Sequence, residues 1–278
     1  MASLSSTAKE LSVLVAGYIA SVFMGLVLGM IGGGGSILTV PILVYLFSVD
    51  PVTATAYSLF IVGLTALVGG SAYLKTGEVD FKTGILFALP SFVGVYLVRA
   101  FLLPSMPETI MSLGNYEITK SLFIMIIFSL LMLFSSISMI KQKKKDVVKS
   151  TMAPGLKAAV VGFEGLIVGG VTGLVGAGGG FLIIPALVVL VGLPMKVAVG
   201  TSLFIIASKS LIGFIGDLQY GPAIDWPILL SISLAGAFGI FFGKGLAARI
   251  PEGNLKKGFG YFVLVMGTII LFDQFRAL

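Results

Sequence analysis

The stretch GMIGGGGSILTVPILVYLF (residues 29–47) sets four consecutive glycines, Gly32 to Gly35, inside an otherwise apolar run. Each glycine costs a helix about 1 kcal/mol relative to alanine, so four together end one. The surrounding chain has 278 residues, 57% of them hydrophobic and only 11% charged. A soluble domain carries about 25% charged residues. The composition is that of a polytopic integral membrane protein. The glycine run therefore stops a helix inside lipid, and that break decides the fold.

The chain contains no cysteine and no histidine. Disulfides, thiolate chemistry, the usual His/Cys metal sites and haem on a His or Cys ligand are excluded, and no cofactor is expected. Much of the net charge of +6 lies in KQKKKDVVKS, residues 141–150, between hydrophobic segments. Basic residues placed there report membrane topology. The expected partner is the bilayer, with no nucleic acid.

Ten apolar segments are expected, at 11–32, 37–48, 51–73, 83–102, 119–140, 157–177, 181–192, 196–216, 226–247 and 257–274. Eight approach the roughly 20 residues that a crossing needs; 37–48 and 181–192 do not. The first segment exceeds the about 7–15 apolar residues of a cleaved signal peptide.

The glycine run recurs. GLVGAGGGFLIIPALVVLV begins at Gly173, offset by 144 residues from Gly29. Gly29, Gly32, Gly34, Gly35, Leu38 and Pro41 reappear as Gly173, Gly176, Gly178, Gly179, Leu182 and Pro185. The run Ser58 to Ile61 reappears as Ser202 to Ile205, and Gly69 and Gly77 as Gly213 and Gly221. The chain thus reads as two halves of five segments, 1–140 and 157–278, joined by a basic linker at 141–156. An odd number of passages sends the second half in from the opposite face, so the repeat is expected to be inverted.

With the linker in the cytoplasm, Lys75, Lys82, Lys196, Arg249, Lys256 and Lys257 also fall inside, while Lys9, Lys120 and Arg276 fall outside. This agrees with the excess of cytoplasmic basic residues in membrane proteins. Both termini are then extracytoplasmic.

The short arm 37–48 reaches only about 17 Å at 1.5 Å per residue, which leaves the glycines near mid-membrane. Broken backbone at that depth must be buried in protein or line a wet cavity. It presents backbone N–H groups at a helix start, where the dipole also favours negative charge. Ser36 is placed to cap that start with a free hydroxyl. Two breaks related by a pseudo-twofold axis would aim two positive helix ends at one central anion site.

The paired GxxGxGG…P hairpins, the SLF after each, and the five-plus-five arrangement resemble the sulfite exporter family TauE/SafE, also known as the toluene-sulfonate uptake permease family. The resemblance covers nearly the whole chain. It implies a multi-pass protein of the bacterial inner membrane that moves small sulfur-containing anions, such as sulfite, sulfonates and related compounds. The residues alone lead to a small anion and no further.

The expected substrate-binding set is Gly33, Gly34, Gly35, Ser36, Ser58, Gly178, Gly179, Gly180, Thr201, Ser202 and Lys209. Each has a plainer reading. Gly25 and Gly29 fit close helix packing, a role that the other glycines could share. Ser58 and Ser202 could bond a carbonyl one turn back. Tyr57 is a weaker neighbour. Lys209 and Glu164 are ionisable groups well inside helices, where charge is expensive. Lys209 is two turns from Ser202 on one helix face; its alternative is to snorkel to the interface. Glu164 is the expected coupling carboxylate, carrying a proton as coupling ion; its alternative is an interfacial position. Arg99 and Lys244 align across the repeat near helix ends, where snorkelling is expected. Asp217 and Asp225 read as loop and cap residues.

With no phosphate-binding loop, catalytic histidine or paired carboxylates, an enzyme is not expected. The expected mechanism is alternating access of one half against the other. An anion channel, or a carrier for a different small anion, is the rival reading.

Overall fold

The computed structural model describes residues 2–113, 116–141, 154–220, 224–247 and 252–276. Most of the basic linker, residues 142–153, lies outside them. Among the described residues eight helices are long and apolar enough to cross a membrane. Helix α1 spans Ala2–Ile31 and is apolar from Leu11. The short helix α2, Gly33–Leu46, begins within the glycine run. Then come α3 (Pro51–Lys75), α4 (Phe81–Ser105), α5 (Lys120–Ile140) and α6 (Pro154–Val175). The second short helix, α7, starts at Gly180–Ala186 and ends in a wide π turn, Leu187–Val191. Helices α8 (Met195–Tyr220), α9 (Trp226–Ala247) and α10 (Glu252–Arg276) complete the chain.

Local chemistry explains the starts. The Asp50 carboxylate accepts the N–H groups of Val52 and Thr53, and Pro51 fills the first helical position of α3, where its missing N–H costs nothing. Asp80 caps α4 and Thr119 caps α5 in the same manner. The element not expected is a small antiparallel hairpin, β1 (Thr109–Leu113) with β2 (Tyr116–Thr119), between α4 and α5.

Helices α3 and α8 form the centre. Of their apolar windows 67% and 72% are buried, against 28–39% for the other six. They pack on each other; α1 packs on α9, α4 on α6, α5 on α10, and α2 on α7. Small residues bring these pairs close. A Cβ at Gly25 would overlap the Gly236 backbone, and one at Gly239 the Val22 carbonyl. Gly165 and Gly169 stand likewise against Phe87 and Ser91. In lipid, association rests on such packing because the tails are as apolar as the helices. Phe163, Leu234 and Phe241 lie on the outside, an apolar surface suited to hydrocarbon.

Candidate functional site

The two glycine breaks meet. A Cβ added at Gly33 would overlap the Cα of Gly180, and one at Gly180 would overlap the Cα of Gly33. Only a backbone without side chains permits this approach. The break after α1 turns at Gly32, with φ of 71°, and the break after α6 turns at Gly176, Gly178 and Gly179, with φ of 71°, 63° and 67°. These left-handed conformations strain any residue with a Cβ. Gly35 lies against the backbone of Leu28, whereas Gly34 faces only the side chains of Ile31 and Phe259.

The N-cap of α2 is Gly32 with no side-chain hydrogen bond, in place of the expected Ser36. The Ser36 hydroxyl is not free. It lies 2.6 Å from the Gly33 carbonyl and 2.5 Å from the Ala177 carbonyl, tying one break to the other. A serine four residues into the turn reaches carbonyls, which accept, rather than the N–H groups that a cap must satisfy.

Ser58 and Ser202 diverge. Ser58 donates across the centre to the Gly176 carbonyl at 2.8 Å, so α3 holds the second break in place. Ser202 donates to the Val199 carbonyl of its own helix at 2.8 Å, the plainer reading. Its Oγ nonetheless stands 2.9 Å from where a Gly32 Cβ would be. Thr201 accepts the Asp80 N–H at 2.9 Å and anchors the start of α4 instead of facing the breaks. The Tyr57 hydroxyl accepts the Asp225 N–H, and Asp225 receives the Ile228 N–H as a cap residue does.

Lys209 does not snorkel. It is fully buried, and its Nζ donates to the Thr172 hydroxyl on α6 at 2.8 Å. A Cβ at Gly179 would stand 2.8 Å from Nζ, so the amino group lies directly beside the second break. Glu164 is half-buried on α6, and its Oε2 has no hydrogen-bond partner among the described residues. No ion pair joins it to Lys209 among those residues. Every residue of the expected substrate-binding set is buried, from Gly33 to Lys209.

Two helix-end cations behave differently from each other. Lys244 is partly exposed, as a helix-end lysine should be. It donates to Ala72 O at 2.9 Å and Thr76 Oγ1 at 3.0 Å, pairs with Glu78 at 3.3 Å, and sits 4.2 Å over the Tyr73 ring. The Thr76 hydroxyl, more than Lys244, holds the Glu78 carboxyl below the usual carboxylate range. Arg99 was expected to snorkel and does not. It is 1% exposed, and its Nη1 pairs with Asp217 Oδ1 at 3.2 Å. Asp217 in turn is a buried residue of α8, not a loop residue. Both errors have one cause. Helix α4 continues through a π turn to Ser105 and α8 runs to Tyr220, so the two residues lie deeper than the shorter expected segments placed them.

The model of the family described as "Sulfite exporter TauE/SafE" matches residues 18–270. The probable membrane transporter protein YunE of Bacillus subtilis (strain 168) is 28% identical over 276 residues, covering 91% of this chain and 94% of its own length. A probable membrane transporter protein of Xylella fastidiosa (strain Temecula1) is 27% identical over 92% of this chain and 94% of its own. The probable membrane transporter protein MJ0441 of Methanocaldococcus jannaschii is 25% identical over 90% of this chain and 94% of its own. No solved structure matches the chain.

Proposed function

This chain belongs to the sulfite exporter TauE/SafE family of membrane transporters, and from that membership we propose that it is a secondary transporter of small sulfur-containing anions. Sulfite, sulfonates and related organosulfur anions are the substrate class, and the bacterial inner membrane is the setting. The observation that carries the reading is the meeting of Gly33 and Gly180 beside the buried amino group of Lys209. Two half-helix starts converge there, and the lysine supplies a full positive charge when a bound anion pairs with it. The half-helix ends contribute roughly half a charge each. A dianion needs the lysine as well.

The halves are inverted repeats in this reading, and the packing supports it. The 144-residue offset turns the contact of α1 with α9 into that of α6 with α4. It also turns the Gly33–Gly180 approach into the Ser36–Ala177 hydrogen bond. Because the site is sealed, an anion reaches it only when packed elements separate, first on one side and then on the other. That is alternating access, with Glu164 as the proton-coupling carboxylate.

Thermal melting of the purified protein tests the function. Sulfite, sulfate, thiosulfate and short sulfonates are added at matched ionic strength. A ligand at about 100 times its Kd stabilises by about 2.7 kcal/mol, so at least one of these anions raises the midpoint above that in chloride. If none does, the anion reading fails.

A further inference from the structure

A second group of polar residues lies away from the glycine breaks, where α3 and α5 begin and α4 and α8 finish. Arg99, Asp217, Lys120, Ser121, Thr53 and Asp50 line a pocket of about 340 Å³ there. Arg99 is among the largest fully buried side chains in the molecule. Asp217 uses only its Nη1. Nε and Nη2 are buried and have no hydrogen-bond partner among the described residues.

Those two nitrogens form one edge of the guanidinium plane, the edge that grips two oxygens of an oxyanion at once. An unpaired buried donor is costly, and an unpaired edge of a buried charge more so. Lys120 adds a second cation to the same wall, only 7% exposed and in no ion pair among the described residues. Of the three carboxylates of the pocket, Asp50 is fully engaged, and Asp217 is engaged through Oδ1 only, its Oδ2 being buried with no hydrogen-bond partner among the described residues. Asp50 accepts Val52 N–H, Thr53 N–H and the Ser121 hydroxyl. Asp217 offsets Arg99, and Glu108 is exposed at the rim.

We propose that this pocket is a second oxyanion site, in which a small sulfonate- or sulfate-like anion docks on the Nε–Nη2 edge of Arg99 with Lys120 beside it. It serves anions entering or leaving at this end of the bundle. It stands on its own residues and does not require the site at the glycine breaks.

The absence of native cysteine makes a direct test possible. Ser121→Cys places one thiol on the pocket wall of the full-length protein. Its rate of modification by a maleimide is measured with inorganic sulfate or with chloride at equal ionic strength. Sulfate slows labelling about tenfold at about ten times its Kd, and chloride does not. Lys120→Gln and, separately, Arg99→Lys abolish the protection in the Ser121→Cys background, whereas Lys209→Met leaves it intact. Equal slowing by sulfate and chloride overturns the proposal, as does protection that survives Lys120→Gln. Protection lost in Lys209→Met also overturns it, because the anion then acts from the glycine breaks. Lys120→Gln decides the matter alone if Arg99→Lys does not fold.

Discussion

In the proposed function, Lys209 is the residue on which substrate affinity turns. Its only hydrogen-bond partner among the described residues is a neutral hydroxyl, Thr172, and an ammonium has three donors. Donors therefore remain for an anion at the adjacent break. Lys209→Met keeps the bulk and removes the charge. The expected result is a loss of anion affinity of at least about tenfold, about 1.4 kcal/mol, read by calorimetry on folded protein. Unchanged affinity would leave the glycine breaks as the whole site. Glu164→Gln addresses coupling at the same scale. The carboxylate has an unpartnered buried oxygen, and its amide cannot carry the proton. Flux in proteoliposomes is expected to lose its dependence on a pH gradient while substrate binding persists; wild-type pH dependence in the variant would remove Glu164 from the mechanism. The sequence made Lys209 and Glu164 legible because charge inside an apolar run stands out at once. It hid Thr172, the hydroxyl that fixes the lysine, because a threonine inside a helix carries no such contrast. It also hid the depth of Arg99 and Asp217, which depends on where helices end.

Elements were easier to read than their contacts. Among the described residues the eight long expected segments coincide with the eight long apolar helices to within a few residues at most ends, and 37–48 and 181–192 overlap shorter helical stretches, because the period and length of apolar runs are direct signals. The hairpin of β1 and β2 was missed for a related reason. Its residues, TIMSL and YEIT, are short, mixed in polarity and overshadowed by long apolar neighbours, although runs of that kind around a Gly-Asn pair are a hairpin signature. The glycine breaks were legible as breaks, but nothing in the sequence said that Gly33 would touch Gly180. That contact supplies a comparison between neighbouring glycines. Gly33→Ala must displace the Gly180 backbone, and forcing a methyl into a packed core costs about 1–3 kcal/mol. Gly34→Ala meets only side chains, the nearest 3.2 Å away on Ile31. Gly33→Ala is thus expected to lower the thermal midpoint and anion binding clearly, and Gly34→Ala much less. Equal effects of the two would mean that the breaks do not meet as described.

At the scale of the whole molecule, the proposed arrangement in the membrane rests on parity. A half that crosses an odd number of times places its two ends on opposite faces, and only then does a second copy of the same half enter inverted. From lysine and arginine placement we propose that the linker is cytoplasmic and the termini lie outside. Cysteine at position 5, 143 or 278, one per protein in the native cysteine-free background, separates the two steps. An impermeant thiol reagent on intact cells is expected to label Ser5→Cys and Leu278→Cys, and to label Lys143→Cys only after permeabilisation. Labelling of Lys143→Cys alone in intact cells would reverse the orientation and leave the inversion standing. Labelling of Ser5→Cys and Lys143→Cys from the same face would remove the inversion itself. The two glycine breaks would then enter from one side of the bilayer, and their helix ends would no longer converge on Lys209 from opposite faces.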